Sequence, residues 1–313
     1  MGASQYRNQQ YRRKIAALKM TLLMFTMITI LIWAAATAYA QAPIELPAYP
    51  AEDLIEDQTE VYNESVSQEA TSKLLIEGDF SAMTTDGIGG IYTVSAGEEI
   101  KLYGRDGVLK YRYSNNRLGQ IGNVDASNSL SVLVYYPEYA TVVLLNNTLS
   151  EYGRLDLRQL NLFGVQAAGL ARDGNIWVYD PYAFQMVKID KKGSVIKKTE
   201  PLNYVLNVSL NPTRIIERNR RVFLHDPGYG ILVFDEFGTF DFPIVNKQIK
   251  NFQVIKDQLV CMADAEKDKT QNWIFNLVSL TEQPLNIIGD KLRIEGEAVY
   301  SLQKKGVFTF SSN

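Results

Sequence analysis

From residue 72 onward the chain repeats one short hydrophobic pattern. Gly174 to Val195 shows it most clearly. The apolar run Ile176-Trp-Val-Tyr179 ends at the corner Asp180-Pro181-Tyr182, and a second run, Met186-Val-Lys-Ile-Asp190, follows. A tight turn at Lys192-Gly193 then leads into a third run. Runs of this length, rich in β-branched and aromatic residues and bounded by Gly, Pro and Asp, predict strands and turns. Counterparts lie at Gly90 to Lys110, Leu130 to Asn147 and Arg221 to Phe240. A looser one joins Leu259–Asp264 to Trp273–Leu280, and a truncated one runs from Ala298 to Phe310.

The corner prolines set the period: Pro137 to Pro181 is 44 residues and Pro181 to Pro227 is 46. Each unit is preceded by a further strand-like stretch, at 162–171, 213–218, 251–256 and 291–297. Four short strands recurring every ~40–50 residues predict the blades of a β-propeller. Helical periodicity is absent here, which argues against helical solenoids and doubly wound sheets. A β-sandwich would give short strands without a repeated unit. The expected fold is all-β, with about six four-stranded blades. The last unit is short, so Ser72-Lys-Leu-Leu-Ile-Glu-Gly78 is expected to complete it and close the ring, leaving no open sheet edge.

The first 71 residues follow another pattern. Residues 1–19 hold Arg7, Arg12, Arg13, Lys14 and Lys19 and no acid; an uncharged apolar run from Met20 to Trp33 follows, then Ala38-Tyr-Ala40. This is the basic, apolar, small-residue order of a secretory signal with an A-x-A cleavage site. The alternative is an uncleaved anchor, because 20–40 is long enough to span a bilayer. Membrane association is expected only in that second case. No cysteine follows the apolar run, so lipoprotein processing is not expected. Residues 41–71 carry Pro43, Pro47 and Pro50 and eight acids without a Lys or Arg, the composition of a solvated linker. The expected division is therefore 1–40 signal or anchor, 41–71 linker and 72–313 propeller. Removing the leader would move the formal charge from −3 to −8, since it carries five basic residues and no acid.

The units resemble the six-bladed propellers of the NHL and TolB-like type. The residues carrying the resemblance are Gly174-Asn-Ile-Trp-Val-Tyr-Asp180, Gly90-Ile-Tyr-Thr-Val94, Arg221-Val-Phe-Leu-His-Asp226 and the Gly turns after the next strand. It covers roughly 72–313. Such propellers include scaffolds, sugar and peptide binders, lactonases and quinoprotein dehydrogenases, so the fold does not select a function. Leader, linker and repeats together resemble a bacterial envelope protein, in the style of the Bacteroidetes.

Composition narrows the chemistry. The globular part has no basic block, which argues against nucleic acid as a partner. One cysteine, Cys261, excludes an internal disulfide and, set in an apolar run, reads as a buried structural thiol. One histidine, His225, excludes any site needing two imidazoles and is the only imidazole base available. There is no nucleophile elbow, P-loop or Cys/His metal spacing, and no cofactor is expected. A calcium site of the lactonase kind would have to draw on oxygen ligands such as Asp86, Asp125, Asn128, Asp173 and Glu295. The basic clusters Lys191-Lys192, Lys197-Lys198 and 218–221 read as solvated turns.

In a propeller, the turn between a blade's second and third strands shares a face with the blade-to-blade connections, and the family resemblance makes that the binding face. The candidate binding residues are Tyr136, Tyr139, Asp180, Tyr182, His225, Asp226 and Tyr229. Tyrosine offers large contact area at low entropic cost. The favoured expectation is a non-catalytic envelope scaffold binding a protein or peptide, as part of a larger assembly. The alternatives are a calcium-dependent lactonase-like hydrolase and a small-ligand sensor. The competing reading of the Asp-Pro corners is that they are turn residues and nothing more.

Overall fold

The structure is a computed structural model. It describes residues 71–313 except 129, 207, 264–271, 286, 288–290 and 312–313. The expected leader (1–40) and all of the expected linker (41–71) but Thr71 lie outside the described residues.

The described residues form six four-stranded antiparallel sheets. Blade 1 holds β2 (Phe80–Thr85), β3 (Ile91–Ser95), β4 (Glu99–Tyr103) and β5 (Leu109–Ser114). Blade 2 holds β6 (Asn123–Asn128), β7 (Ser131–Tyr136), β8 (Thr141–Asn146) and β9 (Glu151–Asp156). Blade 3 holds β10 (Ala168–Leu170), β11 (Ile176–Asp180), β12 (Gln185–Ile189) and β13 (Val195–Lys198). Blade 4 holds β14 (Arg214–Arg218), β15 (Arg221–Asp226), β16 (Gly230–Asp235) and β17 (Phe240–Val245). Blade 5 holds β18 (Asn251–Ile255), β19 (Gln258–Met262), β20 (Asn272–Asn276) and β21 (Glu282–Leu285). Blade 6 holds β22 (Leu292–Glu295), β23 (Ala298–Gln303) and β24 (Gly306–Ser311), and its fourth strand is β1 (Thr71–Glu77), paired antiparallel to β24. The chain is a six-bladed β-propeller, closed by its first described strand as the repeat pattern predicts. The one short departure is in blade 3: of the 162–171 stretch, only Ala168–Leu170 is strand.

Burial within a blade explains the sequence pattern. The middle strands are covered on both faces. Every residue of Ser131–Tyr136 is buried, whereas Leu109–Ser114 and Val195–Lys198 on the outside are almost wholly exposed. Successive side chains of one strand serve different seams. Val132, Val134 and Tyr136 pack with Tyr92, Ile100 and Leu102 of blade 1. Leu133 and Tyr135 pack with Ile176, Val178 and Val187 of blade 3. A two-sided strand therefore reads as a continuous apolar run rather than an alternating one. Each of the six seams has its own apolar cluster. Cys261 is fully buried in the seam between blades 4 and 5, as expected, and burial pushes its thiol pKa up.

The first strands of neighbouring blades lie side by side around the axis, including β2 with β6, β6 with β10 and β10 with β14. The approach is tight at Gly169, where a methyl group would come within 2.2 Å of the Ile215 carbonyl oxygen. Side chains stitch these strands together at repeat spacing. Asn123 donates to the Ala168 carbonyl (3.0 Å) and Asp125 accepts from the Leu170 amide (2.7 Å), each 45 residues along. The Gln253 side chain both accepts from the Ile294 amide and donates to its carbonyl, at 2.8 Å each. Farther out, buried Trp177 of blade 3 donates through Nε1 to Glu217 of blade 4 at 2.6 Å.

Ring closure rests on β1, whose Ile76 is buried with Val307 and Leu302. Ile76→Ala is expected to cost about 2–5 kcal/mol, the range for emptying a buried aliphatic site. Chemical denaturation of the variant against the parent chain measures it; an unchanged midpoint would mean that β1 does not close the ring.

Candidate functional site

Antiparallel order puts the turns between second and third strands, and the connections entering each first strand, at one end of the ring. This is the upper face. The turns between first and second strands lie at the lower end, including Asp86 to Gly90, which sits between β2 and β3.

The upper-face corners divide into exposed and buried residues. In blade 2, Pro137–Tyr139 forms a 3-10 turn closed by Ala140 in the left-handed region, and Tyr139 is exposed. In blade 3, the Asp180 carboxylate accepts from the Tyr182 and Ala183 amides at 3.0 and 3.1 Å. That bond turns the chain and leaves the Tyr182 ring 75 % exposed. Tyr229 is half-buried against the apolar cluster between blades 3 and 4.

Three candidates are corrected by their burial. Tyr136, His225 and Asp226 are 0, 2 and 4 % exposed and cannot form a contact surface. Tyr136 is the last residue of a two-sided strand, and its ring enters the seam with blade 1. Asp226 is consumed by its own corner, accepting from the Gly228 amide at 2.6 Å and from the Asn211 amide. His225 places Nε2 2.9 Å from the Ile249 carbonyl oxygen and stands edge-on to Phe252. For Asp180 and Asp226 the turn-residue reading is what the geometry supports.

Sequence reasoning missed the residues that extend Tyr182 into a patch. Phe163, Tyr204 and Val205 lie in blade connections and are 48, 81 and 52 % exposed. Phe163 adjoins Gly164, where a methyl group would touch both Pro181 and the Tyr182 ring at 3.4 Å. The 3-10 turn Leu202–Tyr204 is tied to the same corner by the Leu202 amide, which donates to the Phe184 carbonyl at 2.7 Å. Connections lack a repeated pattern, so only their isolated apolar residues marked them.

At the axis a funnel of about 400 Å³ opens on the upper face. Its wall is built from the beginnings of first strands, with Met83 and Asn123 on one side and Arg214, Asn251 and Arg293 on the other. His225 contributes to it from behind. Beneath lies a smaller cavity of about 60 Å³ that shares Arg214 and Arg293 with the funnel. Its floor is crossed by side chains. Arg218 of blade 4 donates to the Ser127 carbonyl of blade 2 at 2.7 Å, and the Thr85 hydroxyl donates to Glu295. Arg218 thus belongs to the channel rather than to a solvated turn, whereas Lys191, Lys192, Lys197 and Lys198 are exposed as expected.

The five oxygen ligands considered for calcium are each engaged locally. Asp86 accepts from the Gly90 amide at 2.8 Å, Asp125 from Leu170, and Asn128 from the Leu130 amide at 2.9 Å. Asp173 pairs with Lys188 at 2.7 Å, and Glu295 accepts from Thr85. Among the described residues, no three His, Cys, Asp or Glu side chains are grouped as a metal ion would require. No described helix is long and apolar enough to cross a membrane.

No protein-family model matches the chain, and no curated protein matches it in sequence. Solved structures do match its fold. One is a protein of unknown function from Bacteroides thetaiotaomicron, with a TM-score of 0.56 and 11 % identity over 77 % of this chain and 76 % of that one. Another is a streptogramin B lyase, with a TM-score of 0.54 and 9 % identity over 78 % of this chain and 98 % of that one. A third is an inactive variant of virginiamycin B lyase from Staphylococcus aureus with quinupristin, at 0.51 and 10 % over 78 % and 99 %. What they share with this chain is the propeller.

Burial lowers the His225 pKa below its ordinary 6.5, and the Arg214 charge adds to that, while the bond to Ile249 opposes it. The folded protein therefore holds this ring neutral where the unfolded chain would protonate it. Its contribution to stability is complete above pH 6.5 and is lost as pH falls from there toward the lowered folded pKa. His225→Gln, whose amide can keep the bond to Ile249, is expected to lose less melting temperature than the parent between pH 7 and pH 5. Parallel slopes in a thermal-melt series would contradict this.

Proposed function

We propose that this chain is an exported, non-catalytic propeller that binds a protein or peptide partner through its upper face, as a subunit of an envelope assembly. The observation that carries the reading is the patch of Phe163, Tyr182, Tyr204 and Val205. Large apolar side chains gathered on one exposed face are costly to leave in water, and such surfaces mark association sites. Aromatic side chains at the centre of an interface supply most of its binding energy. The corner at Asp180 and the tie from Leu202 to Phe184 fix the backbone that carries these residues, which lowers the ordering left for the moment of binding. Export rests on the basic, apolar and small-residue order of residues 1–40 and on the acidic segment after it. Two of the neighbours in fold are lyases, but at 9 and 10 % identity that likeness extends to the propeller alone.

Photocrosslinking from positions 182 and 204 of the full chain, in cells, followed by native purification of the envelope fraction, tests this reading. A discrete crosslinked species is expected. The double variant Tyr182→Ser, Tyr204→Ser should reduce co-purification by more than tenfold, matching about 2 kcal/mol or more for a paired hot spot, with an unchanged melting temperature. Recovery of uncrosslinked chain alone from both positions would overturn it.

A further inference from the structure

The axial funnel is a separate site from the apolar patch, and its side chains carry one sign of charge. Lys250, Lys291, Arg214 and Arg293 line it, and no Asp or Glu does. This is unusual for a chain with a formal charge of −3, and more so once residues 1–40 are set aside.

The two guanidinium groups at the waist are poorly satisfied. Arg293 is 4 % exposed, and its one hydrogen bond runs from Nη1 to the carbonyl of the preceding Leu292, at 2.8 Å. A guanidinium has five N–H donors, so most of these have no partner among the described residues. Arg214 donates from Nη1 to the Asn251 side chain at 2.5 Å and, more weakly, to the Phe252 carbonyl at 3.4 Å, and packs over the Phe252 ring at 5.6 Å. Among the described residues neither has a carboxylate within 4.0 Å. Burial lowers the pKa of both: at Arg293 the nearby Arg214 adds to the effect and Glu295 opposes it, and at Arg214 Asp125 opposes it. A buried and a half-buried like charge with unused donors form an arrangement that an anion would relieve. At the rim, Lys291 donates to the Ser81 carbonyl at 2.7 Å and Lys250 is exposed, so both ammonium groups stand where a ligand would enter.

The other wall is different. Met83, Val94 and Ile121 give it an apolar surface. The volume, about 400 Å³, falls within the range of small-molecule sites.

We infer that the funnel binds a small molecule through an oxyanion, a carboxylate or a phosphate group, held by Arg214 and Arg293 and steered by Lys250 and Lys291, with its less polar body against Met83, Val94 and Ile121. Planar guanidinium groups match both oxyanions in bidentate geometry. The site stands independently of the partner reading, because none of its residues belongs to the Tyr182 patch.

Calorimetric titration of the full chain in chloride buffer, at matched ionic strength, tests it with inorganic phosphate in one arm and succinate in the other. Saturable one-site binding is expected in at least one arm, and the arm that saturates identifies the anion chemistry. Arg293→Met and Arg214→Gln should each weaken it about ten- to a hundredfold. Arg293→Met should leave the melting temperature of the unliganded protein equal or higher, since it removes a buried and unpaired charge. The rim pair Lys250→Gln, Lys291→Gln should weaken binding severalfold without affecting the fold, and it decides the matter if an arginine variant does not fold. No saturation in either arm, or variants that titrate like the parent chain, would overturn the inference.

Discussion

The structure depends on how its innermost strands are finished. A ring of separate sheets leaves the free edge of each first strand, with its amides and carbonyls, turned toward the axis. Such edges are costly when buried and hazardous when open. Here, at two of the blades, side chains of the preceding blade satisfy them. Asn123 and Asp125 serve β10, and the single Gln253 amide serves both backbone groups of Ile294. The spacing of 45 residues for the first two bonds matches the interval between the corner prolines. One repeat therefore completes the next, and the ring is held by polar stitches at its centre as well as by apolar seams farther out.

This constraint explains why the fold was legible and the channel was not. The outer three strands of each blade announce themselves through apolar runs, Gly turns and Asp corners, all of which depend on local chemistry. Even the closure by β1 could be read, because a truncated last unit and an unassigned first strand imply one another. The first strands carry a weaker signal. Arg214-Ile-Ile-Glu-Arg218 mixes charge with apolar residues because its two faces meet a seam and an aqueous channel. Which of its residues face the axis depends on a register that composition does not fix, since a slip of one residue exchanges the faces. Arg218 thus read as a surface turn, although it spans the channel floor to Ser127.

The upper-face corners show the same limit at single residues. Tyr136 and Tyr139 are three positions apart, and both looked like rim tyrosines. The first ends a two-sided strand and is buried; the second lies in the 3-10 turn and is exposed. His225 drew notice as the only imidazole, yet its position in a seam beside Phe252 gives it a structural bond to Ile249. The corner at Asp180 remains as the sequence marked it, but its carboxylate belongs to the turn and only Tyr182 projects. The rings beside Tyr182 came from connections that obey no repeat, where no pattern distinguishes an exposed aromatic from a buried one.

The contrast between stitched and unstitched positions then separates structural polar groups from available ones. Asp125 and Gln253 are matched by backbone partners in the next blade and Glu217 by Trp177 of the preceding one, so their chemistry is already used. Arg293 occupies the equivalent zone of blade 6, two residues after Lys291 begins the wall, and its donors reach only its own neighbouring carbonyl. A repeat fold supplies its own reference for what a position is for. A buried cation without such a partner stands out against Asp125 and Gln253. It does so at the waist of the one axis that every blade shares, where a ligand would touch several blades together and couple its binding to the stability of the ring.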